Sequence, residues 1–276
     1  MRTGLLSAAA AALLTGLLAV PAQAQYGATP IQSDRPIGET YHVEVFGGFW
    51  PPSPDVVISS EQFGIIGTDI DFVEDLGIEK QWFGDLRVVL RPTTKSKFRI
   101  AYTPISYDAS TVLSRRIVFN GQEFRVSAPV DTEVRWRQWR FGYEYDFVYR
   151  DKGYAGLILD VRYTDVQATL TSSFAGVTFS EFTHAKAPIP AIGGIGRVYV
   201  MPNVAVTFEL AALKVPKIND EYEATFIDWD LNGTFNVNEN FGAQVGFRNL
   251  SVNYLVEQDT GDMVIRGLYF GAVARF

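Results

Sequence analysis

Taken two residues at a time, most of the chain after Thr40 separates into an apolar set and a polar set. Residues 139–149 are the clearest case, where Trp139, Phe141, Tyr143, Tyr145, Phe147 and Tyr149 alternate with Arg140, Glu144 and Asp146. A period of two is that of a strand; a helix repeats every 3.6 residues. The same period runs through residues 41–49, 82–91, 97–106, 155–164, 192–201, 204–210, 227–235, 243–248 and 267–276. In the first of these, Tyr41, Val43, Val45 and Phe49 oppose His42, Glu44 and Phe46. In the last, Leu268, Phe270, Ala272, Ala274 and Phe276 oppose Tyr269 and Arg275.

The connections are of two kinds. Short ones fall near Pro92 and at 150–153, 201–203 and 236–240; longer ones span 51–81, 107–133, 171–190 and 215–221. Alternating short turns and long loops predict an all-β fold: a transmembrane antiparallel up-and-down β-barrel of about ten strands. Within 107–133, Asn120-Gly121 between β-branched and aromatic residues signals a tight hairpin. Residues 111–130 are therefore expected to carry the third and fourth strands outward as one long hairpin. Counted as a separate pair of barrel strands they give twelve; eight is the other alternative.

Two packed sheets also alternate, so the kind of residue on each face has to decide. Aromatic residues concentrate near the strand ends (Trp82, Tyr149, Tyr163, Phe235, Phe270), as at the two interfaces of a membrane. The opposite faces carry few Lys but many Arg and carboxylates. Arg forks bridging several acids suit an enclosed lumen better than a wetted surface. The predicted lumen charge network is Glu44, Asp85, Arg87, Arg99, Arg140, Glu144, Asp146, Asp160, Arg162, Arg197, Glu209, Asp228, Asp230 and Arg248.

Residues 1–24 read as a cleaved signal peptide, with Arg2, an apolar run from Leu5 to Val20, and Ala22-Gln23-Ala24 as the cleavage site. Residues 25–39 then form a short N-terminal extension and 40–276 the barrel. Beyond the leader, no apolar run reaches the ~20 residues of a spanning helix. The chain has no Cys, so neither a disulfide framework nor a thiol nucleophile is available. Its net charge of −7 excludes nucleic acid as a partner.

A terminal aromatic closing an amphipathic strand resembles the signal read by the outer-membrane assembly machinery, and Phe276 holds that place. The runs GTDIDFVEDLG, KSKFRIAYTPISY and RWRQWRFGYEYDFVYRDKG resemble a broad group of bacterial outer-membrane β-barrel proteins. The resemblance implies a location in the outer membrane with both termini periplasmic, and brings no activity. The partners expected are outer-membrane lipids and lipopolysaccharide, periplasmic chaperones and the barrel-assembly machinery, around a monomer.

Three other features bear on chemistry. Asp69, Asp71, Glu74 and Asp75 could offer oxygen ligands to Ca²⁺ but lack the spacing of a calcium loop, and are expected to be solvated loop charges. His184 lies near Ser180 and Glu181 in a predicted long loop, the raw material of a rim-site hydrolase without the spacing of a triad. His42 is expected on the lumen face. Gly193, Gly194 and Gly196 follow no strand-to-helix step, which removes the nucleotide-loop reading. No cofactor and no catalytic residue are expected. The functional expectation is a barrel with a salt-bridged lumen and long surface loops, in a structural or surface-binding role. A narrow channel for small solutes is the alternative, and a rim-site lipid or peptide hydrolase the second.

Overall fold

The computed structural model describes residues 36–59, 67–119, 121–174, 177–218, 222–256 and 259–276, with side chains described outside 173–185, 218 and 256. The expected leader, most of the extension, and the side chains of Ser180, Glu181 and His184 lie outside the described residues. The strands are β1 (Val43–Trp50), β2 (Ser53–Ser59), β3 (Ile70–Asp71), β4 (Phe83–Leu90), β5 (Ser96–Val112), β6 (Ile117–Phe119), β7 (Gln122–Phe124), β8 (Pro129–Arg150), β9 (Gly153–Phe174), β10 (Val177–Met201), β11 (Val204–Ile218), β12 (Tyr222–Asn236), β13 (Phe241–Val256) and β14 (Asp259–Arg275).

Ten of these, β1, β4, β5 and β8 to β14, pair antiparallel in chain order, and β14 returns to β1 through Glu44↔Arg275 to Phe49↔Phe270. The barrel is closed and leaves no edge there. Pro51 and Pro52 end β1, but β2 resumes along β14 at Arg266↔Ser53, so the first barrel strand is continued across a proline break.

The burial pattern of β8 explains the strand lengths. In its C-terminal half the outward residues Trp139, Phe141, Tyr143, Tyr145 and Phe147 are exposed, while Glu144 and Asp146 point inward and are buried. In its N-terminal half the outward residues become Asp131, Glu133, Arg135 and Arg137, and the buried ones Val130, Thr132, Val134 and Trp136. The faces exchange polarity between Arg137 and Trp139 without a change of register. A strand of 22 residues extends about 70 Å, whereas ~9–11 residues cross a bilayer. The half with apolar residues outside crosses lipid; the other half projects into water. At the belt edge Phe49, Trp82 and Phe270 cluster with centroids 5.9–6.4 Å apart, Trp82 edge-on to both phenylalanines.

This projection corrects the expected loops. Residues 171–190 and 215–221 belong largely to β9–β10 and β11–β12, which pair out to Val177↔Phe174 and Ile218↔Tyr222. The strands continue because their inner faces still have a core to cover. The expected long hairpin also differs: β5 and β8 stay paired only to Val112↔Pro129, and β6–β7 form a separate two-stranded sheet. Gly121, with φ of +77°, supplies the left-handed turn between them. Rather than projecting, this hairpin turns back into the barrel, where Ile117, Phe119 and Phe124 are at most 2% exposed.

The wall is laddered less completely on the long-loop side. β5 pairs with β4 only up to Leu86↔Tyr102, and residues 72–82 cover its remaining edge, with Gln81 Nε2 donating to Asp108 O at 3.0 Å and Phe83 edge-on to Tyr107. β10 separates from β11 above Ile192↔Ala212, in the stretch that contains Pro188 and Pro190. Prolines fit a strand margin where no donor is needed. At Gly193, an added Cβ would lie 2.1 Å from Leu210 O, so close strand approach is the reason for glycine there.

Candidate functional site

The lumen is filled in three layers. The first is at the short-turn end, where the chain before β1 crosses the barrel mouth. Ile37 N donates to Pro202 O at 2.7 Å, Asn236 Nδ2 donates to Ile37 O at 2.6 Å, and Gly38 N donates to Glu239 Oε2 at 2.7 Å. Glu39 pairs with Arg91 at 3.3 Å and Arg197 at 3.2 Å, and accepts from the Tyr199 hydroxyl. Burial pushes the Glu39 carboxyl up, but Arg197 and the Tyr199 hydroxyl outweigh it and hold it below the usual carboxylate range. Tyr41 is buried here, with the Arg91 and Arg275 guanidinium carbons 5.2 and 5.8 Å from its ring centroid.

This entry path moves His42. Both His42 N and Val43 N donate to Phe276 O, at 2.7 and 3.0 Å, so two residues face one, as in a bulge. The alternation resets there. Tyr41 takes the interior place, and His42, expected inside, is exposed with Nδ1 3.3 Å from Arg91 O.

The second layer is ionic and lies in the half of the barrel with the apolar belt outside. Lys97 joins Glu144 at 2.6 Å and Asp146 at 2.8 Å; Arg99 joins Glu144 at 2.5 Å and Glu209 at 2.6 Å. Arg140 bridges Glu209 and Asp160, and Arg162 bridges Asp160 and Asp228. Arg248 meets Asp228 at 2.8 Å, while Arg87 meets Asp85 at 2.6 Å and Asp230 at 3.2 Å. Glu44 binds Arg275 at 2.6 Å. All the residues named from the sequence are thus brought onto the inner face and into ion pairs, Arg197 through Glu39.

Four further members lie outside the predicted network: Glu39, Arg91, Lys97 and Arg275, of which Arg275 was already expected on the inner face. Lys97 and Arg275 share the polar parity of their strands, so alternation alone could have added them. Arg91 continues the parity of Asp85 and Arg87 and could have been added in the same way, whereas Glu39 lies before the first strand and gives no periodic signal. Counting these, cations and carboxylates in this part of the lumen are equal in number. Among the described residues, small cavities of about 20 Å³ beside Arg87, Gln138 and Asp228 and about 50 Å³ beside Tyr41, Lys97 and Tyr154 leave room for a few water molecules. Nearly balanced pairs of this kind contribute little net stability over apolar packing, but removing one partner strands the other at high cost.

The third layer is apolar and fills the long-loop half. Residues 67–82, 113–119 and 121–128 fold inward as a plug, placing Ile70, Phe72, Leu76, Ile117, Phe119 and Phe124 against Ile105, Trp136, Leu170, Phe226, Leu250 and Ile265 of the wall. The two segments are fastened together. Thr68 N donates to Val118 O and Val118 N to Thr68 Oγ1, both at 3.1 Å; Arg115 donates to Asp75 at 2.7 and 2.5 Å and to Asp69 O at 2.5 Å. Of the acidic run, Asp69 and Glu74 are exposed as expected, whereas Asp71 and Asp75 are tied into the plug. Asp71 caps its own turn by accepting from Val73 N and Glu74 N at 2.8 Å, and the Arg115 hydrogen bonds hold the Asp75 carboxyl below its ordinary range. Alternating apolar residues between those acids turn the segment inward.

No family model matches the sequence, and no curated protein matches it. The fold does have solved counterparts. Outer membrane protease OmpT from Escherichia coli superposes with a TM-score of 0.58 at 10% identity, over 85% of this chain and 96% of that one. The Pseudomonas putida toluene transporter TodX gives 0.35 at 8% identity, over 85% and 90%, and a Pseudomonas aeruginosa FadL homologue gives 0.38 at 7%, over 83% and 68%. Ten antiparallel strands closed on themselves, a lipid-facing belt and a polar interior give this chain the fold of a bacterial outer-membrane β-barrel.

Proposed function

We propose that the protein is an integral outer-membrane barrel with a sealed lumen, acting through its wall and its projecting rim and not as a passage. The observation that supports this is the filling of the lumen by three successive layers: the N-terminal crossing, the balanced ionic layer and the apolar plug. An ion path needs continuous water along the lumen; the cavities are small, and the charges are held in pairs.

In this reading residues 1–24 direct export, both termini lie in the periplasm, and Phe276 marks the final strand for the assembly machinery after periplasmic chaperones hand the chain over. The apolar belt is matched to lipid, and the charged projecting rim to lipopolysaccharide headgroups, around a single copy. Planar-bilayer recording tests the central claim: purified protein is expected to give no steady single-channel current. Steady currents that disappear when Arg99 and Arg140 are replaced would establish a channel instead.

A further inference from the structure

The apolar half of the lumen has two unlike walls. On the β11 to β14 side, Ala211, Phe226, Leu250 and Ile265 point inward and carry no polar group. On the β5, β8 and β9 side, five side chains at least nine-tenths buried have polar atoms without hydrogen-bond partners: the Tyr107 hydroxyl, Thr132 Oγ1, Trp136 Nε1, Gln138 Nε2 and Thr164 Oγ1. They form one patch. Thr132, Trp136 and Gln138 share the inner face of β8; Gln138 is directly opposite Thr164, and Tyr107 is opposite Val134 between them. The plug sets apolar side chains against this layer.

The chemistry of the patch is directional. Gln138 Oε1 already accepts from Arg248 Nη2 at 3.4 Å, so its amide NH₂ is what remains, and an indole N–H can only donate. Two neighbouring donors call for an acceptor oxygen. Gln138 sits at the boundary with the ionic layer, beside Arg87 and Asp228, and the unpaired groups on the plug side of it are all uncharged, which selects an uncharged occupant. Buried unpaired donors are costly, and an apolar enclosure with a few convergent polar groups is the usual make-up of a small-molecule site. We propose that this half of the lumen is a binding chamber for an uncharged apolar molecule carrying a hydrogen-bond-accepting oxygen, and that the plug occupies it when no such molecule is present.

The plug segments are bolted to each other through Thr68–Val118 and Arg115–Asp75, and tied to the wall by the β2–β3 pairing, by Phe72 N donating to Val56 O and by Gln81 donating to Asp108 O, so admitting the occupant breaks those wall ties while the two segments stay joined. The proposal does not depend on whether the barrel conducts ions, since the occupant enters from the long-loop side.

The probe is 6-propionyl-2-dimethylaminonaphthalene, an apolar ketone whose emission moves to the red when its carbonyl accepts a hydrogen bond. It is titrated into nanodiscs with and without the full-length protein. A saturable, red-shifted component is expected only with protein, and Trp136→Phe/Gln138→Met should weaken it about ten-fold while the barrel remains folded. A Gly77→Cys/Thr111→Cys pair should lock the plug: a Cβ at Gly77 lies 3.5 Å from Thr111 Cβ, within disulfide reach, and the chain has no other Cys. Oxidation should abolish binding and reductant restore it. Because Gly77 has φ of +69°, the Trp136→Phe/Gln138→Met variant decides the matter if the locked one does not fold. Equal signals from filled and empty discs, or saturable binding unchanged by that variant, would overturn the chamber; binding that survives oxidation would overturn the moving plug.

Discussion

The ionic and the apolar halves of the lumen are built on the same strands, with the same register and opposite chemistry. On β8, Gln138, Arg140, Glu144 and Asp146 point inward where Trp139 to Phe147 face lipid, and Val130, Val134 and Trp136 point inward where Asp131 to Arg137 face water. The medium outside decides what the inside must do. In lipid the outer face gains nothing from burial, so the inner face is free to be polar and is held by directed ion pairs. In water the ordinary rule returns, and the inner face needs an apolar core, which the plug supplies.

Four measurements probe that contrast, beginning with the largest expected effect. Asp228 is shared by Arg162 and Arg248, so Asp228→Ala strands buried Arg248, leaves Arg162 with Asp160 alone, and should cost about 3–5 kcal/mol in urea unfolding of the bilayer-inserted barrel. A combined Arg162→Met/Asp228→Leu/Arg248→Met change should restore much of that loss, and a triple change as damaging as Asp228→Ala would show that the ionic half is not interchangeable with packing. In the apolar half, Leu76→Ala at a fully buried plug position should cost about 2–5 kcal/mol locally, read as faster amide exchange in residues 67–82 with β11 to β13 unchanged. Exchange that accelerates throughout the barrel would mean that the halves unfold as one unit.

The boundary itself gives the third test. Phe141→Arg puts a charge on the lipid face and should cost about 2–4 kcal/mol, whereas Arg137→Leu, two turns of the pleat away and already in water, should stay within about 0.5 kcal/mol. Similar costs at both sites would move the boundary from its place between Arg137 and Trp139. The smallest effect is acidic. Asp75 has a depressed folded pKa, so its pairing with half-exposed Arg115 stabilises the plug above the unfolded value of about 4 and is lost as pH falls below it. The loss should be about 1 kcal/mol or less, seen as looser proteolytic protection of residues 67–82 and absent in Asp75→Asn.

The barrel was legible because alternation is strict wherever lipid touches the wall: Trp139, Phe141, Tyr143 and Tyr145 permit one orientation only. The inward set from Glu44 to Arg248 was readable for the same reason. Beyond the boundary the period persists but the faces exchange, so 171–190, rich in Thr, Ser and Ala, resembled a loop although 171–174 and 177–190 are strand. The plug was hidden for a different cause. Ile70, Phe72, Ile117 and Phe119 alternate as any strand does, and only the long-range fold shows that their apolar side meets Trp136 and Phe226. The crossing at Glu39 has no period, and the bulge at Phe276 reset the face of His42.

The seam between β1 and β14 joins residues separated by more than two hundred positions, through Glu44–Arg275 and the bonds at Phe276. In time as well as in space, the first barrel strand's partner is the last barrel strand made. Until it arrives, β1 offers one open row of amide groups, and the Trp139 to Phe147 stripe has no lipid to face. Closure therefore waits for all ten strands, and the chain must be kept soluble and apart over that interval, with the non-local contacts that fold slowest left to the end.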